Sequence, residues 1–247
     1  MSQTIEFTLD GRAATLIVPE SPAPGNPWVW RTEFLYAFNQ ADLALLARGF
    51  HIAYYCVSNE YGSPAAIAAF HRFHDYLTET YRLSPRAALF GFSRGGLYAC
   101  NYAIAYPADC TCLYLDAPVL DLKSWPAGLG LGCGSPAEWE DCKARVFSLR
   151  TVADVLAFRG APIDRLPELI ATRLPVLLVA GGADKTVPYE ENGACLVAAY
   201  RAAGAPVTVI IKPECDHHPH SLADPAPIVA FVEAATFGKK ENIGQKI

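Results

Sequence analysis

The sequence predicts an α/β fold, in which a mostly parallel sheet of about eight strands carries helices on both faces. Short apolar runs that suit buried strands alternate with helix-length segments through most of the 247 residues. The first two strands differ, because they alternate apolar and polar residues around a tight-turn pair, Asp10-Gly11. Neither an internal repeat nor a linker divides the chain, so we expect one domain over residues 1–247.

The first half of the chain supplies a hairpin and then the first alternating units. The hairpin is predicted over residues 4–9 and 13–18, and a loop rich in proline and glycine then leads into an apolar strand, Trp28-Val29-Trp30. Ser63-Pro64 is typical of a helix start, since a capping hydroxyl precedes a first-turn proline. The other elements predicted here are helices over 38–48, 63–81 and 95–106 and strands over 50–57 and 86–90.

Residues 118 to about 165 interrupt this alternation. They contain several prolines, Trp125, Trp139 and the run GLGLGCG. No apolar strand leads into these glycines and no helix opens directly after them, which excludes a dinucleotide-binding turn. We therefore expect a lid-like insertion. The regular pattern flanks it with strands over 111–115, 176–180 and 207–211 and helices over 191–203 and 225–237, and the charged tail that follows is expected to fray.

Composition excludes several classes of function. The chain has 20 Lys and Arg against 25 Asp and Glu, a net charge of −5, so it lacks the basic excess that nucleic-acid binding needs. Its apolar runs are shorter than the ~20 residues that span a bilayer, and its start does not resemble a signal peptide. We expect a soluble, cytoplasmic protein with mostly reduced cysteines, among which Cys133 and Cys142 are the best candidates for a disulfide.

The strongest chemical signal is a Gly-x-Ser-x-Gly pattern, Gly91 to Gly95, between a buried strand and a predicted helix. A serine on a sharp strand-to-helix turn has a strained backbone, and side chains two residues away on either side would collide. Glycines at 91 and 95 remove those side chains. The turn also aims the Arg94 N–H and the positive end of the helix at the place where an oxyanion would form.

Two later loops hold the partners that a serine nucleophile requires. A buried strand runs into Gly-Gly-Ala-Asp184-Lys-Thr-Val-Pro, and the next strand runs into Pro-Glu-Cys215-Asp216-His217-His218-Pro-His220. Both loops follow the carboxyl ends of strands. A histidine base oriented by a carboxylate is the usual means of activating a serine hydroxyl.

With these three motifs the chain resembles an α/β-hydrolase of the serine-nucleophile kind from about residue 4 to residue 237. The resemblance implies that Ser93 is the nucleophile, Asp184 the triad acid and His217 the general base. It also implies that Arg94 donates one oxyanion N–H. The His-Gly pair that often supplies the second donor is absent here, and we assign that donor to the backbone of Arg31.

The runs WVWRTEF and HHPHSL, together with Ser124-Trp-Pro126, also resemble small bacterial hydrolases, some of them associated with carbohydrate degradation. That likeness implies a polar or sugar-bearing ester as substrate. Its implied substrate-binding residues are Trp30, Glu33, Trp125 and His218. For Trp28 and Trp30, plain packing in the core is the alternative.

Several assignments have rivals in the sequence. Asp116 also ends a strand and could be the acid, and His218 could replace His217 as the base. The cluster of Cys215, Asp216 and the three nearby histidines could hold a metal, although its spacing matches no common motif and we predict no metal. His74, on the apolar face of the 63–81 helix, is interpreted as a core-edge residue, with a ligand role as the alternative.

The function expected is hydrolysis of a small-molecule carboxylic ester through an acyl-enzyme, without a cofactor. An acyltransferase would use the same residues, and a non-catalytic ligand-binding protein could share the fold. The sequence does not determine the oligomeric state.

Overall fold

The computed structural model describes residues 2–238, and the end of the charged tail, from 239 on, lies outside them. Eight strands form one sheet in the order β1-β2-β4-β3-β5-β6-β7-β8. Strands β1 and β2, and β2 and β4, pair antiparallel, and every later pair is parallel. The strands are β1 Gln3–Leu9, β2 Arg12–Val18, β3 Trp28–Arg31, β4 His51–Tyr55, β5 Ala87–Phe92, β6 Cys110–Asp116, β7 Val176–Gly181 and β8 Val207–Lys212. The predicted α/β class with a mostly parallel sheet is confirmed.

Helices cover both faces of the sheet, as predicted. One core packs the helices Pro64–Thr80 and Gly95–Ala105 against the sheet and includes Phe73. The second packs the helices Gln40–Leu46 and Ala226–Phe237 and includes Val232. Strands β5, β6 and β7 are buried along their whole length, which explains their continuous apolar runs. The helices are α1 Gln40–Leu46, α2 Pro64–Thr80, α3 Gly95–Ala105, α4 Pro136–Asp141, α5 Val152–Ala157, α6 Leu166–Ala171, α7 Gly193–Ala202 and α8 Ala226–Phe237.

Local backbone chemistry explains where two elements begin. Asp10 and Gly11 both have positive φ angles, 47° and 76°, as a two-residue hairpin turn requires. Ser63 caps α2 by accepting a hydrogen bond from the N–H of Ala66, and Pro64 is its first helical residue. Helix α1 begins at Gln40 rather than at residue 38, because Phe38 has a φ of 49° and cannot continue a right-handed helix.

The segment 118–165 contains α4 and α5, joined by a π-helical turn at Cys142–Val146 and a loop. Cys133 is exposed and Cys142 is buried, and both are free thiols, so the pair that was the best candidate for a disulfide does not form one. The glycine run is fixed from outside, because Glu191 accepts hydrogen bonds from the N–H of Leu131 and the hydroxyl of Ser124. Among residues 2–238, no helix has the length and apolar character to cross a membrane.

Candidate active site

Ser93 lies at the turn between β5 and α3 with a φ of 49°, a left-handed conformation that costs a non-glycine residue of order 1 kcal/mol. Backbone hydrogen bonds hold it there. The Ser93 N–H donates to the carbonyl of Asp116 at 3.0 Å, and the Ser93 carbonyl accepts from the N–H groups of Gly96 and Val119 at 2.9 and 2.8 Å. The turn therefore presents the Ser93 hydroxyl at the carboxyl edge of the sheet.

Three glycines allow this turn to pack. A Cβ on Gly91 would come within 3.0 Å of the Ala99 Cβ, and one on Gly95 would come within 2.9 Å of the Thr32 Oγ1. A Cβ on Gly96 would lie 2.6 Å from the Pro118 Cβ, closer than packed carbon atoms approach. The absence of these side chains lets the loop after β3 lie directly against the start of α3.

The structure brings Ser93, His217 and Asp184 together in one hydrogen-bonded chain. The Ser93 Oγ lies 3.0 Å from the His217 Nε2, and the His217 Nδ1 lies 2.7 Å from the Asp184 Oδ2. The Asp184 side chain is almost completely buried, and its other oxygen, Oδ1, accepts the N–H groups of Thr186 and Val187 at 2.9 and 2.8 Å. These bonds fix the orientation of the carboxylate toward the imidazole.

Asp216 joins the two loops that carry the acid and the histidine. Its Oδ1 accepts hydrogen bonds from the backbone N–H groups of Lys185 at 3.0 Å and His217 at 2.8 Å. These two bonds lower the pKa of Asp216, so the side chain remains a carboxylate well into acid conditions. Asp216 therefore binds backbone amides instead of the imidazole.

Asp116, the alternative acid, contacts a different histidine. Its Oδ1 lies 2.9 Å from the His220 Nδ1, and its Oδ2 accepts from the Tyr114 hydroxyl at 2.6 Å and the Ser221 N–H at 2.8 Å. All of these groups are buried. Asp116 thus anchors the loop after β8 through His220 and Ser221. It does not contact His217, which bonds to Asp184 and Ser93.

His218 lines the cavity above Ser93 and stacks on Phe38, with 5.5 Å between ring centroids. Burial lowers its pKa, and the neighbouring imidazoles of His220 and His217 lower it further. Ligand atoms of these three histidines lie within 4.8 Å of one another. Cys215, which the sequence grouped with them, instead points its thiol at the carbonyl of His218.

Two of the residues expected in the site, one for binding substrate and one for binding the oxyanion, have side chains that lie below it. Trp30 is fully buried, stacks on Trp28 at 5.2 Å and packs against Phe70, so it belongs to the core. Arg31 is also fully buried, and its guanidinium lies 3.9 Å above the Phe92 ring.

Arg31 is not placed to donate to an oxyanion. Successive N–H groups along a strand point to opposite sides, and the Thr32 N–H donates to the carbonyl of Phe90 on β5. The Arg31 N–H therefore faces β4, away from Ser93. Its guanidinium instead donates to the carbonyls of Phe34 and Ala37, both at 2.7 Å, and holds the loop after β3.

The polar wall of the site is built around Arg94, whose N–H precedes the first turn of α3. Its guanidinium lies 3.4 Å from the Glu33 Oε1 and 3.1 Å from the Glu138 Oε2. Glu33 is buried below this arginine. Burial raises the pKa of Glu33, and this effect outweighs the positive charge of Arg94, which lowers it. The Glu33 backbone nitrogen lies 3.6 Å from the place of a Gly95 Cβ, so this amide borders the serine turn.

The cavity over Ser93 has a volume of about 360 Å³. Of the residues expected to bind substrate, Trp125 and His218 line it, whereas Glu33 is covered by Arg94. Sequence reasoning missed most of the lining, because no motif marks a loop residue that faces a cavity. The lining residues it missed are Phe34, Ala37, Phe38, Phe92, Glu138, Thr186 and His220.

A sequence profile of the Alpha/beta hydrolase family matches residues 21–234, which include the sheet from β3 on and the three loops of the site. The chain belongs to the α/β-hydrolase family. A comparison with curated proteins finds no match for it. Among solved structures, this hydrolase is similar to the acylaminoacyl peptidase of Pyrococcus horikoshii, with a TM-score of 0.66 and 14% identity. The match covers 88% of this chain and 37% of the peptidase chain, so the two share a fold over about a third of that protein.

Proposed function

We propose that this α/β-hydrolase cleaves a carboxylic ester through a covalent acyl-enzyme on Ser93. The observation that carries the proposal is the continuous chain of contacts from the Ser93 Oγ through His217 to the buried Asp184, at 3.0 and 2.7 Å. The Asp184 carboxylate accepts a hydrogen bond from the Nδ1–H of the ring, which leaves a lone pair on Nε2 facing the serine hydroxyl. Nε2 is therefore the atom that accepts the serine proton.

In the first step the Ser93 oxygen attacks the ester carbonyl carbon as its proton moves to His217. The carbonyl oxygen becomes an oxyanion, which the backbone N–H groups of Arg94 and Glu33 bind. Glu33 is assigned as the second donor because its nitrogen borders the serine turn and Arg31 faces away. Collapse of this intermediate expels the alcohol, which takes the proton from His217, and leaves the acyl group on Ser93.

In the second step a water molecule replaces the alcohol. His217 takes a proton from this water as its oxygen attacks the acyl carbonyl, and the same amides bind the oxyanion again. The carboxylic acid leaves, and the proton on His217 returns to the Ser93 oxygen. Asp184 holds the imidazole in one orientation throughout both steps and stabilises the imidazolium each time His217 takes up a proton.

The cavity favours a small, uncharged ester with polar groups. At about 360 Å³ it is near the lower end of the range for ligand pockets. One guanidinium, Arg94, faces two carboxylates, Glu33 and Glu138, so the site offers no excess positive charge for an anionic acyl group. Trp125 adds an apolar ring to the lining of the same cavity, and this combination of polar and aromatic groups suits an acetylated sugar.

The test is the turnover of p-nitrophenyl acetate and of a fully acetylated hexose by wild-type and Ser93→Ala protein. The substitution should reduce kcat/KM by about 10⁴ or more, because it removes the attacking oxygen. Ser135→Ala is the matched control, since the Ser135 side chain forms no cap hydrogen bond at the start of α4. Unchanged turnover in Ser93→Ala would refute the proposal.

The rival functions give different results in the same assay. An acyltransferase would form more ester than acid when an alcohol is added, and a ligand-binding protein would fail to react with a fluorophosphonate probe. An N-acetyl amino-acid p-nitroanilide tests for the peptidase activity that the name of the Pyrococcus protein suggests. Faster turnover of the anilide than of the acetate ester would refute the assignment as an esterase.

A further inference from the structure

A second cluster of histidines and carboxylates lies at the opposite edge of the sheet from Ser93. His71, His74 and Asp75 are spaced within one turn of α2, and Asp109 precedes the first residue of β6. The amino ends of parallel strands meet at this edge, whereas Ser93 follows the carboxyl end of β5. The cluster is therefore separate from the residues of the proposed reaction.

Ligand atoms of His71, His74 and Asp75 lie within 4.8 Å of one another, and Asp109 places a carboxylate beside both histidines. The His71 Nδ1 lies 3.3 Å and the His74 Nδ1 3.8 Å from the Asp109 Oδ2. The His74 Nδ1 also lies 3.3 Å from the Asp75 Oδ1. Tetrahedral coordination with bonds of about 2.0–2.1 Å places neighbouring ligand atoms about 3.3–3.4 Å apart. Two of these three separations match this spacing and the third is longer, and the half-exposed Asp75 side chain has to turn toward Asp109 to complete the site.

His71 gives an independent indication of a ligand. Its Nδ1 is buried and has no hydrogen-bond partner, although the Asp109 Oδ2 is only 3.3 Å away. The two atoms are close enough for a hydrogen bond but are not aligned for one. A buried nitrogen without a partner is costly, and a cation that accepts its lone pair would satisfy it.

The surrounding contacts orient the ligand atoms as they do in metal sites. The His74 Nε2 lies 2.9 Å from the carbonyl of Pro85, so Nε2 carries the proton and the lone pair is on Nδ1. The Tyr102 hydroxyl donates to Asp109 at 2.9 Å. The His71 ring is fixed by stacking on Tyr106, with 3.8 Å between centroids. Histidine ligands usually have a hydrogen-bond partner on the second ring nitrogen, as His74 has in the carbonyl of Pro85.

We propose that His71, His74, Asp75 and Asp109 bind a zinc ion, with the Nδ1 atoms and one oxygen of each carboxylate as ligands. Two imidazoles and two carboxylates suit Zn²⁺, whereas Mg²⁺ and Ca²⁺ prefer oxygen ligands alone. The two carboxylates neutralise the charge of the ion. Because Asp109 belongs to the turn before β6, the bound ion links that turn to α2 and stabilises the fold.

The three histidines near Ser93 are a weaker candidate. A metal on His217 would have to displace the Ser93 Oγ from Nε2 or Asp184 from Nδ1. At the α2 cluster the only contact that an ion would replace is that of the His74 Nδ1 with Asp75, which is itself one of the four residues considered as ligands. Zinc binding at the α2 cluster is therefore compatible with the proposed ester hydrolysis.

The experiment measures Zn²⁺ binding by isothermal titration calorimetry at pH 7.5 in a Cys133→Ser background, which removes the exposed thiol. His71→Ala should weaken binding by about 100-fold or more, since even changes in the surrounding shell cost about 10–100-fold. His218→Ala is the matched control and should bind zinc as the background protein does. Zinc at 100 times its Kd should also raise the Tm of the background protein by about 5–10 °C.

Turnover of p-nitrophenyl acetate shows whether each variant is folded, because His71 is remote from Ser93 and its loss should not affect ester hydrolysis in a folded protein. His71→Ala should keep the p-nitrophenyl acetate activity of the background protein, and Asp75→Asn, at a half-exposed position, provides a second ligand variant. Absence of zinc binding in the background protein would overturn the proposal. Binding that His71→Ala and Asp75→Asn leave unchanged, or that His218→Ala abolishes, would overturn it too.

Discussion

Asparagine substitution of two buried carboxylates separates the two candidates for the triad acid. Asp184 contacts Nδ1 of His217, and Asp116 contacts Nδ1 of His220, at 2.7 and 2.9 Å. Asparagine has nearly the shape of aspartate but offers an oxygen at one position and an NH₂ donor at the other. The neighbouring hydrogen bonds decide which way each asparagine side chain must face.

At position 184 the backbone dictates the outcome. The N–H groups of Thr186 and Val187 both require an acceptor where Oδ1 now lies, so the asparagine NH₂ must face His217. The imidazole then accepts at Nδ1 and carries its proton on Nε2, where it cannot take a proton from Ser93. A wrong tautomer of this kind reduces kcat by about 10⁴, equivalent to about 5.4 kcal/mol in the activation free energy.

At position 116 the same substitution should have a small effect. Oδ2 accepts two hydrogen bonds, from Tyr114 and Ser221, so the asparagine oxygen remains there and the NH₂ faces His220. His220 can accept this hydrogen bond in its other tautomer, and it does not contact Ser93. We expect Asp116→Asn to retain kcat within about tenfold, whereas Asp116→Ala leaves buried donors unpaired at about 1–3 kcal/mol each.

The assay is kcat for p-nitrophenyl acetate near pH 7.5, together with urea unfolding to show that each variant is folded. The expected order of activity is wild type, then Asp116→Asn, and then Asp184→Asn about four decades below wild type. Equal losses in the two asparagine variants would refute the reasoning. A larger loss in Asp116→Asn than in Asp184→Asn would assign the acid to Asp116.

Two further predictions concern stability. Gly96→Ala should lower the free energy of unfolding by about 1–3 kcal/mol in urea, because its Cβ would lie 2.6 Å from the Pro118 Cβ; wild-type stability would contradict this packing. Burial raises the pKa of Asp42 to about 6 despite Arg31, so the folded chain binds this proton more tightly than the unfolded chain. Asp42 therefore contributes full stability below about pH 4 and up to about 3 kcal/mol less above about pH 6. Urea unfolding across this range should show the decline in wild type relative to Asp42→Asn, and parallel curves would contradict it.

The fold was predictable because its signals are local. Continuous apolar runs mark the strands buried on both faces, and Ser63-Pro64 marks the start of α2. The boundaries that differ depend on backbone angles that no residue type announces, such as the positive φ of Phe38 before α1. The sequence did not predict the helices within the segment 118–165, because α4 and α5 are only six residues long and too short to show a periodic pattern.

The site was predictable only in part, for a related reason. A motif places Ser93 on a turn, but it does not say which neighbouring loop packs against it. Arg31 illustrates the limit, since its place at the end of β3 suggested a backbone donor to the oxyanion, and the structure buries its side chain to hold two carbonyls of the loop after β3. Trp30 suggested a sugar-binding surface, yet β3 is central in the sheet and buries that ring against α2.

The choice between Asp116 and Asp184 shows why chain order alone could not identify the acid. Strands β6 and β7 are neighbours in the sheet, and both aspartates lie at its carboxyl edge, Asp116 as the last residue of β6 and Asp184 three residues after the end of β7. The distinction arises in the loop after β8, which presents His217 to one carboxylate and His220 to the other, three residues apart. The Asp116–His220 pair anchors this loop while the Asp184–His217 pair faces Ser93. Asp116→Ala removes this anchor, so it should shift the His217 ring and lower kcat through geometry, whereas Asp184→Asn lowers kcat through the tautomer.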